Sequence, residues 1–195
     1  MFRFDEQAET WDYLGTALSE DFHLSYPHVF EAGGEIYMTP ETKKSRSVRL
    51  YRAVDVPLKW ELDRVLLSGL KRVDPAVMCW EDHWYLFARR KRKLFLYHAD
   101  SLKGPWMAHP GSPVKRWNYA RGAERLFQDR DALYRFAQEQ REGYGSCVHA
   151  YRIITLSPTC HREEKCGKMN SAIGKCTGCG VRTGWPSLRY PSHGT

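Results

Sequence analysis

Long apolar runs are missing from this chain. Nothing approaches the roughly 20 consecutive apolar residues that a membrane-crossing helix needs. The opening stretch, MFRFDEQAET, lacks the apolar core of a secretory signal. The expected location of the chain as written is therefore cytoplasmic. No window of helical length carries a 3.6-residue apolar period, which argues against amphipathic helices. A glycine-rich phosphate loop, a nucleophile elbow and a His-Glu-x-x-His metal motif are all absent. P-loop, serine-hydrolase and zincin chemistry are excluded with them, and no cofactor is expected. Cysteine is sparse and skewed: four of the six lie in the last 36 residues, which is not a secreted disulfide framework. Cys79 and Cys147 stand alone in strand-like runs and are expected to be small buried residues. A strong basic excess is also missing from the body. Residues 1–159 carry 24 Lys/Arg against 21 Asp/Glu, so nucleic acid is not an expected partner; the tail, 160–195, carries 6 against 2.

What is present is aromatic content, 13%, and an internal repeat. SYPHVFEAGGEIYM (25–38) and VDPAVMCWEDHWYLF (73–87) have one shape: an aromatic or acidic residue, a proline, an apolar strand, a tight polar turn and a second strand. A third copy has Phe127, the turn Asp129-Arg130-Asp131, and ALYRF. The central tyrosines, Tyr37, Tyr85 and Tyr134, are spaced by 48 and 49 residues. VRLYRAVDVPLKW (48–60) answers LFLYHADSLKGPW (94–106). Each is followed by a further strand-like run, WELDRVLL and WMAHPGSPV. WDYLGTAL, from Trp11, reads as the end of a copy whose start is absent, so residues 1–22 are expected to end a preceding unit. Four short strands per unit of 40–50 residues, separated by turns, specify an all-β chain built of propeller blades.

The runs HLSYPHVFEAGGEIYMTPET, LYRA, PLKWELDRVLLSG, VDPAV, YHADSLKGPW and GYGS, in this order over about residues 10–159, resemble a five-bladed β-propeller family. That family is related to the arabinanase and β-xylosidase type of glycoside hydrolase. The same domain forms the N-terminal part of plant glucosamine inositolphosphorylceramide transferases, and it also occurs in bacterial proteins, some beside formyltransferase-like domains. The resemblance implies a carbohydrate-related domain. A five-bladed ring at this period takes roughly 240 residues. Residues 23–159 supply about three blades, so missing blades or a second chain would complete the ring.

Side chains at the starts of the innermost strands converge on the axis of a propeller. Asp74 holds such a start, and Pro75 is expected to hold it extended. The matching residue in the first copy is Tyr26, before Pro27; the third copy has drifted to ARGAERLF, offering Arg121 and Glu124. A glycosidase needs two carboxylates about 5 Å or about 6.5–9.5 Å apart. The catalytic candidates are Asp74, Glu124 and Glu41, with Glu139 in reserve. Arg121 suits a phosphate or carboxylate. Gln138 and Tyr144, an amide with a stacking ring, together with Tyr26 and His28, form the expected substrate-binding set; His28 and His98 also fit as satisfied strand histidines. The run RRKRK (89–93) is expected to be a solvated hairpin turn.

After LSPT the strand pattern fades. Residues 160–195 are expected to be a disordered tail outside the propeller. Cys176-x-x-Cys179, with Cys160 and Cys166, is a weak metal candidate only, because a strong zinc signal is two such pairs. Three functions follow. The first is a propeller that binds a glycan, a glycolipid head group or a sugar nucleotide, without itself transferring sugar. The second is a glycoside hydrolase using Asp74 with Glu124 or Glu41. The third is a non-catalytic protein-interaction propeller.

Overall fold

The computed structural model describes residues 1–123, 125–139, 147–170 and 176–177. Among them there is no α-helix, only two single 3-10 turns at Lys43–Ser45 and Trp117–Tyr119. A short hairpin, β1 (Phe2–Asp5) and β2 (Thr10–Tyr13), pairs with itself as a separate two-stranded sheet.

Three antiparallel blades follow. The first is β3 (Ser25–Ala32), β4 (Glu35–Glu41), β5 (Val48–Asp55) and β6 (Lys59–Leu67), paired in chain order. The second is β7 (Val73–Trp80), β8 (His83–Arg90) and β9 (Lys93–Ala99), with β10 (Met107–Ala108) and β11 (Lys115–Arg116) both on the far side of β9. In the third, β12 (Arg121–Gly122) and β13 (Phe127–Asp129) share β14 (Ala132–Glu139), followed by β15 (Cys147–Leu156), β16 (His161–Asn170) and β17 (Cys176–Thr177). The repeat is in register at the level of Cα partners: Phe30 faces Tyr37, Met78 faces Tyr85 and Phe127 faces Tyr134. The two-residue turns have the positive φ that matches strand twist, at Gly33 (59°) and Gly34 (78°), and again at Glu81 (47°) and Asp82 (62°).

Three expectations are corrected. The second blade does not close with one long strand, because Pro110 and Pro113 lack the N–H a ladder needs and divide it into β10 and β11. The propeller does not stop at residue 159. His161–Asn170 pairs along β15 as a fourth strand, and its polar sequence hides this because an outer strand owes its form to the neighbour it pairs with. Cys79 is exposed, lying at the turn end of β7, while Cys147 is buried. Cys176 falls in β17, and residues 178–195 lie outside the described residues.

The core lies between blades. Tyr37, Val48, Leu50, Leu66 and Leu67 of the first pack against Val77, Leu86, Ala88 and Tyr97 of the second. Tyr85, Phe87, Leu94 and Leu96 of the second pack against Leu133, Ile153 and Leu156 of the third. Polar ties reinforce both seams. The Val77 N–H donates to His28 Nδ1 across the first (3.3 Å). At the second, Glu163 of β16 accepts from Arg135 at two oxygens (2.6 and 2.8 Å) and meets Lys115 of β11 at 2.9 Å. Tyr151 lies under both cations.

Burial alone would raise the Glu163 pKa. The Arg135 hydrogen bonds and charge, with Lys115, outweigh it and bring the group to about 2, from an ordinary 4.5. Removing one partner of a buried pair strands the others and costs about 3–5 kcal/mol. Glu163→Gln should therefore lower the unfolding free energy by about that amount in urea denaturation at neutral pH. A change within about 0.5 kcal/mol would show the network to be idle.

Acid sensitivity follows from the same seams. Burial pushes His28 and His161 down to about 4 from an ordinary 6.5. Between pH 6.5 and 4 the unfolded chain takes up protons at both while the folded chain does not. Their contribution is thus complete above 6.5 and is lost as pH falls towards 4. Glu163 acts lower, between 4.5 and about 2, in the same direction. The urea midpoint should fall across both windows; Glu163→Gln should flatten the lower one and, by removing the charge that raises His161, steepen the upper one.

Candidate functional site

All three inner strands are interrupted at the same place. The β3–β4 register shifts between Ser25 and His28, and the β7–β8 register shifts between Val73 and Ala76. In the third blade the break widens to the gap between β12 and β13. Each bulge leaves Tyr26 or Asp74 outside the ladder, next to a proline. The backbone there is left-handed rather than extended: φ is 49° at Tyr26 and 51° at Asp74. The expected extended Asp74 is therefore corrected. Proline restricts its predecessor, but the bulge requires a residue turned out of the pleat. A non-glycine residue in this region costs of order 1–3 kcal/mol, and such strain concentrates at functional sites.

The turned-out Asp74 carboxylate is buried. Its Oδ2 lies 3.4 Å from Arg121 Nε of the third blade and 3.6 Å from Arg89 Nε of its own. The first blade contributes Glu41, whose Oε2 accepts from the Asp74 backbone N–H at 3.3 Å. The charge of Lys43, one turn beyond Glu41, also reaches Asp74. Burial is the largest influence on Asp74 and raises its pKa; Arg121, Arg89 and Lys43 pull against it. Three cations thus surround two carboxylates among the described residues. The ionic contacts to Asp74 exceed hydrogen-bond length, as in polar sites that tighten on a ligand.

Of the residues singled out from sequence, Asp74, Glu41 and Arg121 come together here. Gln138 is the Cα partner of Arg121, and its amide donates to the Gly122 carbonyl at 3.5 Å. His28 is buried, keeps its Nδ1 for the Val77 N–H and feels the charge of Arg125. Tyr26 occupies the strained position equivalent to Asp74. Glu124, Tyr144 and Cys179 lie outside the described residues. Glu139 is not in this cluster: its carboxylate is bound to His149. Cys160 is exposed and Cys166 donates to the Ala150 carbonyl, so neither joins a ligand set among the described residues.

Sequence reading missed Arg89 and Lys43. Arg90 to Lys93 form the solvated turn expected of RRKRK, but Arg89 turns inward. The repeat carried the signal: Arg89 is 48 residues after Glu41 and 49 before Gln138, so the three hold one position at the end of the second strand of successive blades.

Comparison with known proteins places this geometry. A solved exo-β-1,3-galactanase from Phanerochaete chrysosporium superposes with a TM-score of 0.61 at 14% identity, over 81% of this chain and 42% of that one. An endo-arabinase from Bacteroides thetaiotaomicron gives 0.57 at 16%, over 76% and 57%. At these identities the likeness is one of fold, and it identifies a partial five-bladed propeller. Glucosamine inositolphosphorylceramide transferase 1 of Oryza sativa subsp. japonica is 37% identical over 95% of this chain, and that of Arabidopsis thaliana 36% over 81%. The chain spans about a quarter of the length of these relatives, 26% and 22%. Residues 2–189 match the family model described as glucosamine inositolphosphorylceramide transferase 1, N-terminal, and the chain belongs to that family.

Proposed function

We propose that this propeller binds an anionic sugar head group, of the phosphoinositol kind named in its relatives, at the axial cluster, and positions it for chemistry performed elsewhere. The observation that carries this reading is the charge of the cluster: Arg89, Arg121 and Lys43 set around Asp74 and Glu41. A neutral glycan needs hydroxyl acceptors and donors in balance. A phosphodiester needs cations, and guanidinium groups hold it by two parallel bonds. Asp74 then serves two ends. It keeps the arginines paired while the site is empty, and it accepts a sugar hydroxyl when the phosphate engages them. A sugar nucleotide presents the same phosphate chemistry and separates in the test.

A second reading has its own observation. Asp74 has a raised pKa in a cluster that also holds Glu41, the arrangement of a general acid beside a carboxylate. Under that reading aryl arabinosides, xylosides or galactosides are hydrolysed, and Asp74→Asn abolishes turnover.

Calorimetric titration of the full chain with glycerophosphoinositol, a uridine diphosphate sugar and a neutral galacto-oligosaccharide separates these possibilities. Glycerophosphoinositol should bind most tightly. Arg121→Ala should weaken it about 10–100-fold, the worth of one charge-assisted contact pair. Asp74→Asn removes the competing anion and should strengthen binding of inorganic phosphate. Equal affinity for the neutral oligosaccharide, or no loss in a folded Arg121→Ala protein, would overturn the proposal.

A further inference from the structure

A second cluster lies on the opposite face of β14. Gln138 belongs to the axial end, and its neighbour Glu139 points to the other side of the sheet. Glu139 is the Cα partner of Cys147 on β15, and His149 follows two residues on, on the same face as Cys147. All three are buried. Glu139 Oε2 lies 2.7 Å from His149 Nε2, and Cys147 Sγ lies 3.6 Å from the same nitrogen. The three donor atoms fall within 4.8 Å of one another. Tyr119 closes the side of the imidazole, ring edge to face at 5.0 Å. His149 Nδ1 has no hydrogen-bond partner among the described residues, so the polar chemistry of the ring is gathered at Nε2.

Nε2 thus faces a carboxylate and a thiol together, and the thiol also reaches the Val148 carbonyl at 3.7 Å. A cation beside Nε2 lies within reach of all three donors. We propose that Glu139, Cys147 and His149 form a zinc site. Thiolate, imidazole and carboxylate are the zinc ligand types, and a tetrahedral ion holds sulfur and nitrogen about 3.5 Å apart, close to the separation here. The carboxylate must draw back by less than about 1 Å, which side-chain rotation supplies. Binding expels the thiol proton of Cys147 to solvent, and the imidazole proton that bonds Glu139 from Nε2 moves to Nδ1, leaving Nε2 for the ion. One thiolate and one carboxylate then cancel the charge of the ion, so the buried site is neutral. The fourth position is left to water or to a ligand. The ion staples β14 to β15 at the ends from which the 140–146 connection departs. The site shares no residue with the axial cluster, and the two proposals stand or fall separately.

The test uses the full chain. Purified protein should retain close to one zinc per molecule by elemental analysis after dialysis. Cobalt(II) exchanged into it should give a thiolate-to-metal charge-transfer band. X-ray absorption of the zinc form should show one sulfur, with nitrogen or oxygen completing the shell. Cys147→Ser should lose zinc affinity at least 10-fold, while Cys176→Ser with Cys179→Ser should not. Zinc that dialyses away, a shell with two or more sulfurs, or unchanged affinity in Cys147→Ser would overturn the proposal. If Cys147→Ser fails to fold, the sulfur count of the unaltered chain decides alone.

Discussion

The axial end of this propeller hangs on the Asp74 carboxylate. It is buried, carried on a backbone turned out of the ladder, and held between Arg89 and Arg121. The second blade supplies Asp74 and Arg89, the third supplies Arg121, and the first supplies Glu41 against the Asp74 amide. Asp74 therefore links three blades that share no backbone ladder, by its carboxylate to the third and by its amide to the first. Removing it would leave two guanidinium groups facing each other in a partly desolvated place, which is why a buried charge is far costlier to lose from one side than its net worth suggests.

The outer half of the molecule solves the same problem differently. Blades meet through apolar side chains, but the second seam also carries Glu163 between Arg135 and Lys115, with Tyr151 beneath both cations. That glutamate is nearly sealed from water and saturated with donors, so it is held ionised far below neutrality. Asp74 is the contrast. Its cationic contacts are longer, burial outweighs them, and its pKa rises. Two buried carboxylates, each among cations, thus divide into a structural tie with short bonds and an axial group with slack around it.

The blade architecture was legible because a period near 48 residues survives in the least replaceable positions: the strand-facing pairs, the tight turns and the buried Leu-Tyr in the third strands of the first two blades, answered by Ala150-Tyr151 in the third. Leu50-Tyr51 and Leu96-Tyr97 are all buried, as their matched places require. The outer strand of the third blade was not legible. HREEKCGKMN carries no alternation, since its form comes from pairing with β15 and its one deeply buried carboxylate looks solvated in sequence. Arg89 was concealed by company: four neighbouring cations are solvent-facing, and only the register with Glu41 and Gln138 sets it apart. The Glu139, Cys147 and His149 cluster was half visible, because Cys-x-His in a strand puts both side chains on one face. The glutamate joins only through the cross-strand pairing, which no local pattern announces.

The strained bulges separate what the scaffold demands from what the site chooses. Tyr26 and Asp74 share a left-handed φ within 2° and the same following proline, yet one is aromatic and the other acidic. If the strain served the fold alone, glycine would relieve it at both places without steric cost. A side chain kept at that cost accords with the proposed role of this position. The third blade, where the bulge opens into a gap and Arg121 reaches inward instead, follows the same rule with the opposite charge. The bulge shared by the first two blades carries a ring in one and an acid in the other, and the third blade sets a base there from within its ladder, so the backbone is shared while the side chains differ.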